Sequence, residues 1–130
     1  MAFTSSQTEY GFGDDPVVIR KIVDTIKGGV PLDMTGFTGD EVKAGHILMV
    51  DIATHSIYKP MPVDEGAYTE DNDYVPVGVN IHTIPKDEPF AAVLTIGEVN
   101  DKLSPYPITS DLMQLLKATV PTIVWGHDIN

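Results

Sequence analysis

The chain contains no cysteine, which excludes disulfides, thiolate nucleophiles and cysteine zinc sites together. Its stability must come from packing, to which subunit association can add. Basic residues are also scarce: 8 Lys and Arg against 19 Asp and Glu leave a formal net charge of −11. A duplex binder neutralises phosphates with clustered Lys and Arg, and Arg20-Lys21 is the only adjacent basic pair. No nucleic acid and no membrane surface is expected as a partner, whereas a basic protein surface would suit the charge. No apolar run approaches the roughly 18–20 residues of a membrane span. The opening MAFTSSQTEYGFGDD has no basic n-region and no apolar core, so no secretory signal is expected and the protein should be made and kept in a cytoplasm. Internal repeats and heptads are absent too.

What is present fits one β-rich domain. A length of 130 residues matches a single domain, and 42% hydrophobic residues with a mean hydropathy of zero suit an ordinary core. Residues 1–13 are polar and without period, and read as an N-terminal arm ahead of a domain over 14–130. Phe3, Tyr10 and Phe12 interrupt that arm. They make a docking segment and an untrimmed tail equally good readings.

PVVIRKIVDTI (16–26) has two readings. Val18, Ile22 and Ile26 recur at helical spacing behind Asp15-Pro16, a fitting N-cap and N1. Yet seven of its eleven residues are β-branched, which favours a strand, the reading preferred here.

Beyond Leu32 the pattern is all-β until near the end. HILMVDI (46–52) and SIYKPM (56–61) predict a hairpin around Ala53-Thr54-His55. VDEGAYTEDNDY (63–74) reads as an acidic loop. VPVGVNI (75–81) predicts a strand whose Pro76 suits an edge or a strand start. IPKDEP (84–89) predicts a turn and FAAVLTIGEVN (90–100) the strongest strand. One helix is expected over 110–118, capped by Thr109 or Ser110, with Asp111 in its first turn, Leu112, Leu115 and Leu116 as its apolar stripe and Lys117 near its end. Pro121 stops it, and TIVW (122–125) predicts a closing strand.

Candidate chemistry is sparse. His46, His55, His82 and His127 form no HxH or HExxH pattern, and His55 and His127 read as exposed turn residues. Glu70-Asp71-Asn72-Asp73 resembles a calcium loop only in composition, because Tyr74-Val75-Pro76 follows where the glycine and terminal Glu should stand. Ser56 beside His55 lacks a nucleophile elbow, and Gly28-Gly29 lacks the Lys-Ser/Thr of a phosphate loop. Glu98 and Asp101, at the end of the strongest strand, are the pair best placed for acid–base work. Without a supporting group they read as turn residues, with Gly97 allowing a bulge or close backbone approach and Asn100-Asp101 suiting a turn. No catalytic, cofactor or metal site is expected.

The run YVPVGVNIHTIPKDEPFAAVLTIGEVND resembles tailed-phage head-decoration proteins, through Val77-Gly78-Val79 and through Ala92-Val93-Leu94-Thr95-Ile96-Gly97-Glu98-Val99-Asn100. VKAGHILMVD and IYKPM resemble the preceding hairpin of that group. The N-terminal half, with YGFGDDPVVIRKIVDTIKGG, LDMTGF and KAGH, is similar to head-fibre or auxiliary capsid proteins of phages of Bacteroides-type gut bacteria. The resemblance spans roughly residues 10–125. It implies a small β-barrel or sandwich-like decoration domain with a short C-terminal helix and an extended N-terminal arm. It also implies a homotrimer on the capsid exterior, a major capsid protein as partner, no enzyme activity and no cofactor. Phe3, Tyr10 and Phe12 are then candidate capsid contacts. The chain shows no fibre shaft, so a decoration protein or fibre base is expected over a distal fibre. The alternative is a β-sandwich module binding host-surface glycan or protein, with Trp125, Tyr58, Tyr68, Tyr74 and Tyr106 as stacking candidates.

Overall fold

Crowding at Cβ favours extended backbone in a stretch as β-branched as IRKIVDT. It forms strand β1 (Ile19–Thr25), as preferred over the helical reading. The computed structural model describes residues 18–26 and 28–126. Within them the protein is mainly β with a single α-helix. The strands that follow are β2 (Val30–Pro31), β3 (Glu41–Val42), β4 (Ile47–Asp51), β5 (Tyr58–Pro60), β6 (Val63–Asp64), β7 (Ala67–Tyr68), β8 (Tyr74–Asn80), β9 (Ile84–Pro85), β10 (Phe90–Ala91) and β11 (Val93–Asn100). A 3-10 turn (Asp101–Leu103), helix α1 (Ser110–Thr119) and β12 (Ile123–Gly126) complete the chain.

One six-stranded sheet organises the rest, in the order β12-β11-β8-β4-β5 with β1 on the other edge of β11. Its centre explains the unbroken run ILMV. Every residue of β4 is buried, because both faces are covered. Leu48 packs with Val30, Leu32, Val42, Ala91 and Val93 on one side. Ile47 and Met49 pack with Met61, Leu112 and Leu116 of the helix on the other. Full burial of a Leu such as Leu116 contributes roughly 1.5–3 kcal/mol.

Three local expectations are revised by tertiary structure. Pro76 stands inside an inner strand, between β4 and β11, rather than at an edge. It is tolerated because the β4–β8 register slips between Leu48 and Met49, and because β8 pairs with β11 only at Val79 and Asn80. The acidic stretch 63–74 is not all loop, since β6 and β7 form a small hairpin. Its turn residues Glu65 and Gly66 both have positive φ, the backbone that a two-residue hairpin demands. The turn expected over 84–89 begins with β9, which pairs with β3. The strand expected over 90–100 divides at Ala92, its first two residues pairing with β2.

The helix follows its local signals closely. Thr109 is the N-cap, its side chain accepting from the Leu112 N–H at 3.2 Å, and Leu112 and Leu116 face inward. The closing strand β12 runs parallel to β11, its neighbour. A parallel return needs a crossover, which α1 supplies.

Candidate functional site

β11 is where the sequence concentrated its candidates, and both of its edges are paired along most of their length. β1 runs antiparallel along one edge from Leu94 to Val99. The other edge is shared, by β8 at Val93 and Leu94 and then by β12 from Gly97 to Asn100. Two glycines make this crossing fit. A Cβ on Gly78 would strike the Leu94 carbonyl oxygen, and one on Gly97 would strike the Lys21 carbonyl oxygen. The β1–β11 register shifts just before Gly97 and again after Glu98. The close approach and irregularity expected at Gly97 are both present.

Glu98 stands in this ladder opposite Lys21 and Val124. Asp101 opens the 3-10 turn, which Asn100 caps by accepting from the Lys102 N–H at 3.0 Å. The turn reading of Asn100-Asp101 therefore holds. Among the described residues no group of three His, Cys, Asp or Glu is placed to hold a metal ion. Glu98→Gln is expected to keep its stability within about 0.5 kcal/mol of the parent in urea unfolding. A variant that folds and binds normally yet loses a measurable hydrolytic activity would return Glu98 to a catalytic role.

Asp51, His55 and Ser56 meet in one turn, but their geometry is that of a hairpin. The Asp51 carboxylate accepts from the N–H groups of Thr54, Ser56 and Ile57 at 2.8 Å each, and from the Thr54 hydroxyl. These bonds, the Thr54 hydroxyl first, hold its carboxyl well below the usual range. His55 is exposed with φ 53°, and its N–H closes the turn on the Asp51 carbonyl at 3.0 Å. Its expected place as an exposed turn residue is correct. In the acidic stretch, Asp71 accepts from the Asp73 N–H at 3.0 Å and from Lys59, whose Nζ also lies 4.1 Å from the Tyr74 ring centroid. Lys59 ties the loop down.

The structure places His46 where sequence reasoning did not look, 1% exposed at the heart of an aromatic cluster. Phe37, Tyr68 and Tyr106 stand edge-on to the imidazole at 5.8, 5.2 and 5.7 Å between centroids. Nε2 lies 2.9 Å from the Met61 carbonyl oxygen. A carbonyl only accepts, so Nε2 carries the proton and donates. Burial depresses the imidazole pKa to about 4 against the opposing effect of that bond, and pushes the Tyr68 phenol up to about 12. The available signal was its position, directly ahead of the apolar run ILMV. Phe37 and Tyr106 of this cluster also line a surface pocket of about 140 Å3, together with Asp33, Thr35, Lys59 and Pro60.

The remaining aromatic candidates pack inward. Tyr58 lies against the core beside Leu48, and Tyr68, Tyr74 and Trp125 against the core beneath the helix. Phe3, Tyr10 and Phe12, and His127, lie outside the described residues. Comparison of the chain with protein-family models, with curated proteins and with solved structures finds no match.

Proposed function

We propose that this chain is a virion structural protein that binds the outer surface of a tailed-phage capsid and stabilises it, as a head-decoration protein or the base of a head fibre. The observation that carries the reading is the use made of the motif residues. Val77-Gly78-Val79 and the Gly97-Glu98-Val99-Asn100 run, which carry the resemblance, lie in the paired strands β8 and β11, with Gly78, Val79, Gly97 and Val99 buried. They shape a scaffold rather than a cleft. In this reading three copies sit together at a threefold position of the lattice and bridge neighbouring major capsid subunits on the capsid exterior, after assembly in the host cytoplasm. The work is mechanical, without enzyme activity or cofactor. The strongly negative charge suits a surface that stays soluble and keeps clear of packaged nucleic acid.

The arm supplies the capsid contact in this proposal. Tyr10 and Phe12 are two apart, so an extended arm would direct both to one side. An extended segment can add to a sheet edge of the capsid, with backbone hydrogen bonds for affinity and alternate side chains for specificity. Ordering it costs roughly 1–2 kcal/mol per residue, so aromatic anchors are needed. The test looks for a major capsid protein encoded beside this chain and mixes the two, with the capsid protein assembled into heads. The intact chain should bind, and deletion of residues 1–13 should lower occupancy by about tenfold or more. Unchanged occupancy would remove the arm from the contact, and failure of the intact chain to bind would overturn the capsid reading itself.

A further inference from the structure

Aromatic rings, a carboxylate and hydroxyls converge in the pocket that Phe37 and Tyr106 share with Asp33. Its polar side is the loop after β2, through Asp33, Thr35 and Thr38, and its apolar side is Phe37, Pro60 and Tyr106. Loops carried on a rigid scaffold are where binding residues concentrate. This loop is fixed at both ends. The Asp33 N–H donates to the Tyr58 carbonyl at 2.7 Å, and Asp33 Oδ1 accepts from the Thr35 N–H at 3.0 Å. The Phe37 N–H donates to the Met34 carbonyl at 3.0 Å, and Lys86 Nζ donates to the Phe37 carbonyl at 3.0 Å. The Phe37 and Tyr106 rings are backed by the buried His46 imidazole. Both sides are therefore set before a ligand arrives, which lowers the ordering cost of binding. Asp33 itself is exposed. A carboxylate accepts about four hydrogen bonds, and Thr35 takes only part of that capacity.

We infer that this pocket binds a single pyranose ring of a neutral sugar. Size is the first argument. A volume of about 140 Å3 lies below the roughly 300–1,000 Å3 of sites for drug-sized ligands, so one ring fits and a nucleotide does not. Charge is the second. An anion would meet the Asp33 carboxylate, and the cation in the lining, Lys59, is already held by Asp71 and lies over the Tyr74 ring. A cation gains little either, because Lys59 acts on Asp33 from within the same lining and offsets its charge. Among the described residues no group is placed to hold a metal ion. What remains suits a neutral ligand with an apolar face and a polar rim. The C–H face of a pyranose would lie against Phe37, Pro60 and Tyr106, and its hydroxyls would donate to Asp33 and exchange hydrogen bonds with Thr35 and Thr38. Of the stacking candidates in the sequence, Tyr106 lines this pocket. Such a ring arrives either as a free monosaccharide or as the end of a glycan. The inference stands apart from the capsid reading, which assigns its contact to the arm.

Titration of the isotope-labelled full chain, followed through its backbone amide resonances, tests this. The probes are the methyl glycosides of glucose, galactose, mannose and N-acetylglucosamine. At least one should bind with a Kd in the millimolar range and move the amides of Thr35, Gly36 and Thr38 first. An oligosaccharide ending in the same sugar separates the two sources. Equal or tighter binding assigns the end of a glycan, and weaker binding assigns the free monosaccharide. Glycerol, methylguanidinium and inorganic phosphate should leave those amides unmoved. Asp33→Asn keeps the shape of the side chain but loses the charged acceptor, and should weaken the best sugar by about tenfold. Should that variant fail to fold, the map of shifts in the parent decides. No saturable shift with any of these sugars, shifts that fall outside the lining, tighter binding of methylguanidinium, or an unchanged Asp33→Asn affinity would overturn the inference.

Discussion

Gly97→Ala is expected to lower the melting temperature by about 10 °C, and Gly97→Val to leave the chain largely unfolded. The added Cβ has no direction in which to relax. It would meet the Lys21 carbonyl oxygen of β1 and, at 3.0 Å, the Cδ1 of buried Leu94. The first is backbone, and the second is the end of a side chain sealed in the core. β1 would have to withdraw from β11, although the two are paired from Leu94 to Val99. Forcing atoms into packed structure costs about 1–3 kcal/mol and sometimes more. A loss at the upper end of that range is a large share of a typical domain stability of roughly 5–15 kcal/mol. Gly126 provides the control, since a Cβ there meets nothing within 4 Å among the described residues. Gly126→Ala should melt within a degree or two of the parent, by the roughly 0.5 kcal/mol scale of surface substitutions. A Gly97→Ala protein as stable as this control would show that β1 is not held against β11 as described.

Acid should destabilise the fold through His46 before the carboxylates titrate. The unfolded chain takes up a proton on this histidine near pH 6.5, and the folded protein only near pH 4. Between those values the unfolded state binds more protons, so stability is fully present above pH 6.5 and is lost as pH falls toward 4. The loss amounts to roughly 3 kcal/mol over that window. The three rings around the imidazole offer it no anion, and the Tyr68 phenol stays neutral here. Asp33, Asp51 and Asp71 are all held below the ordinary carboxylate value by hydrogen bonds. Their stabilisation is lost only as pH falls below about 4, in a separate, lower window. Urea unfolding at pH 7 and pH 4.5 should separate the two. His46→Leu should start less stable at pH 7, having lost the bond to Met61, but should lose little more on acidification. If its stability fell with pH as steeply as the parent's, His46 would not be the group responsible.

Local structure was legible where short-range chemistry decides it. The β-branched density of 19–25, the hairpin around residues 53–55, and the Thr109 cap with Leu112, Leu116 and Pro121 each specified an element from neighbouring residues alone. Propensity and capping act within a turn or two of backbone, so the sequence carries them openly. The glycine of the GEVN run was legible as a point of close approach, but not its partner. Lys21 is remote in the chain, and only the docking of β1 on β11 brings its carbonyl there. Pairing likewise decided that β12 returns parallel beside β11, and that Pro76 is harmless inside the sheet because the ladder slips beside it. His46 is the clearest case for the site. A histidine at the start of an apolar run can face water or core, and its proton affinity follows from whichever surroundings the fold supplies. The sequence by itself determined the composition, the conformations and the alternation of faces. Tertiary structure alone decided which strands meet and which ionisable group is sealed from water, because each depends on packing between residues far apart in the chain.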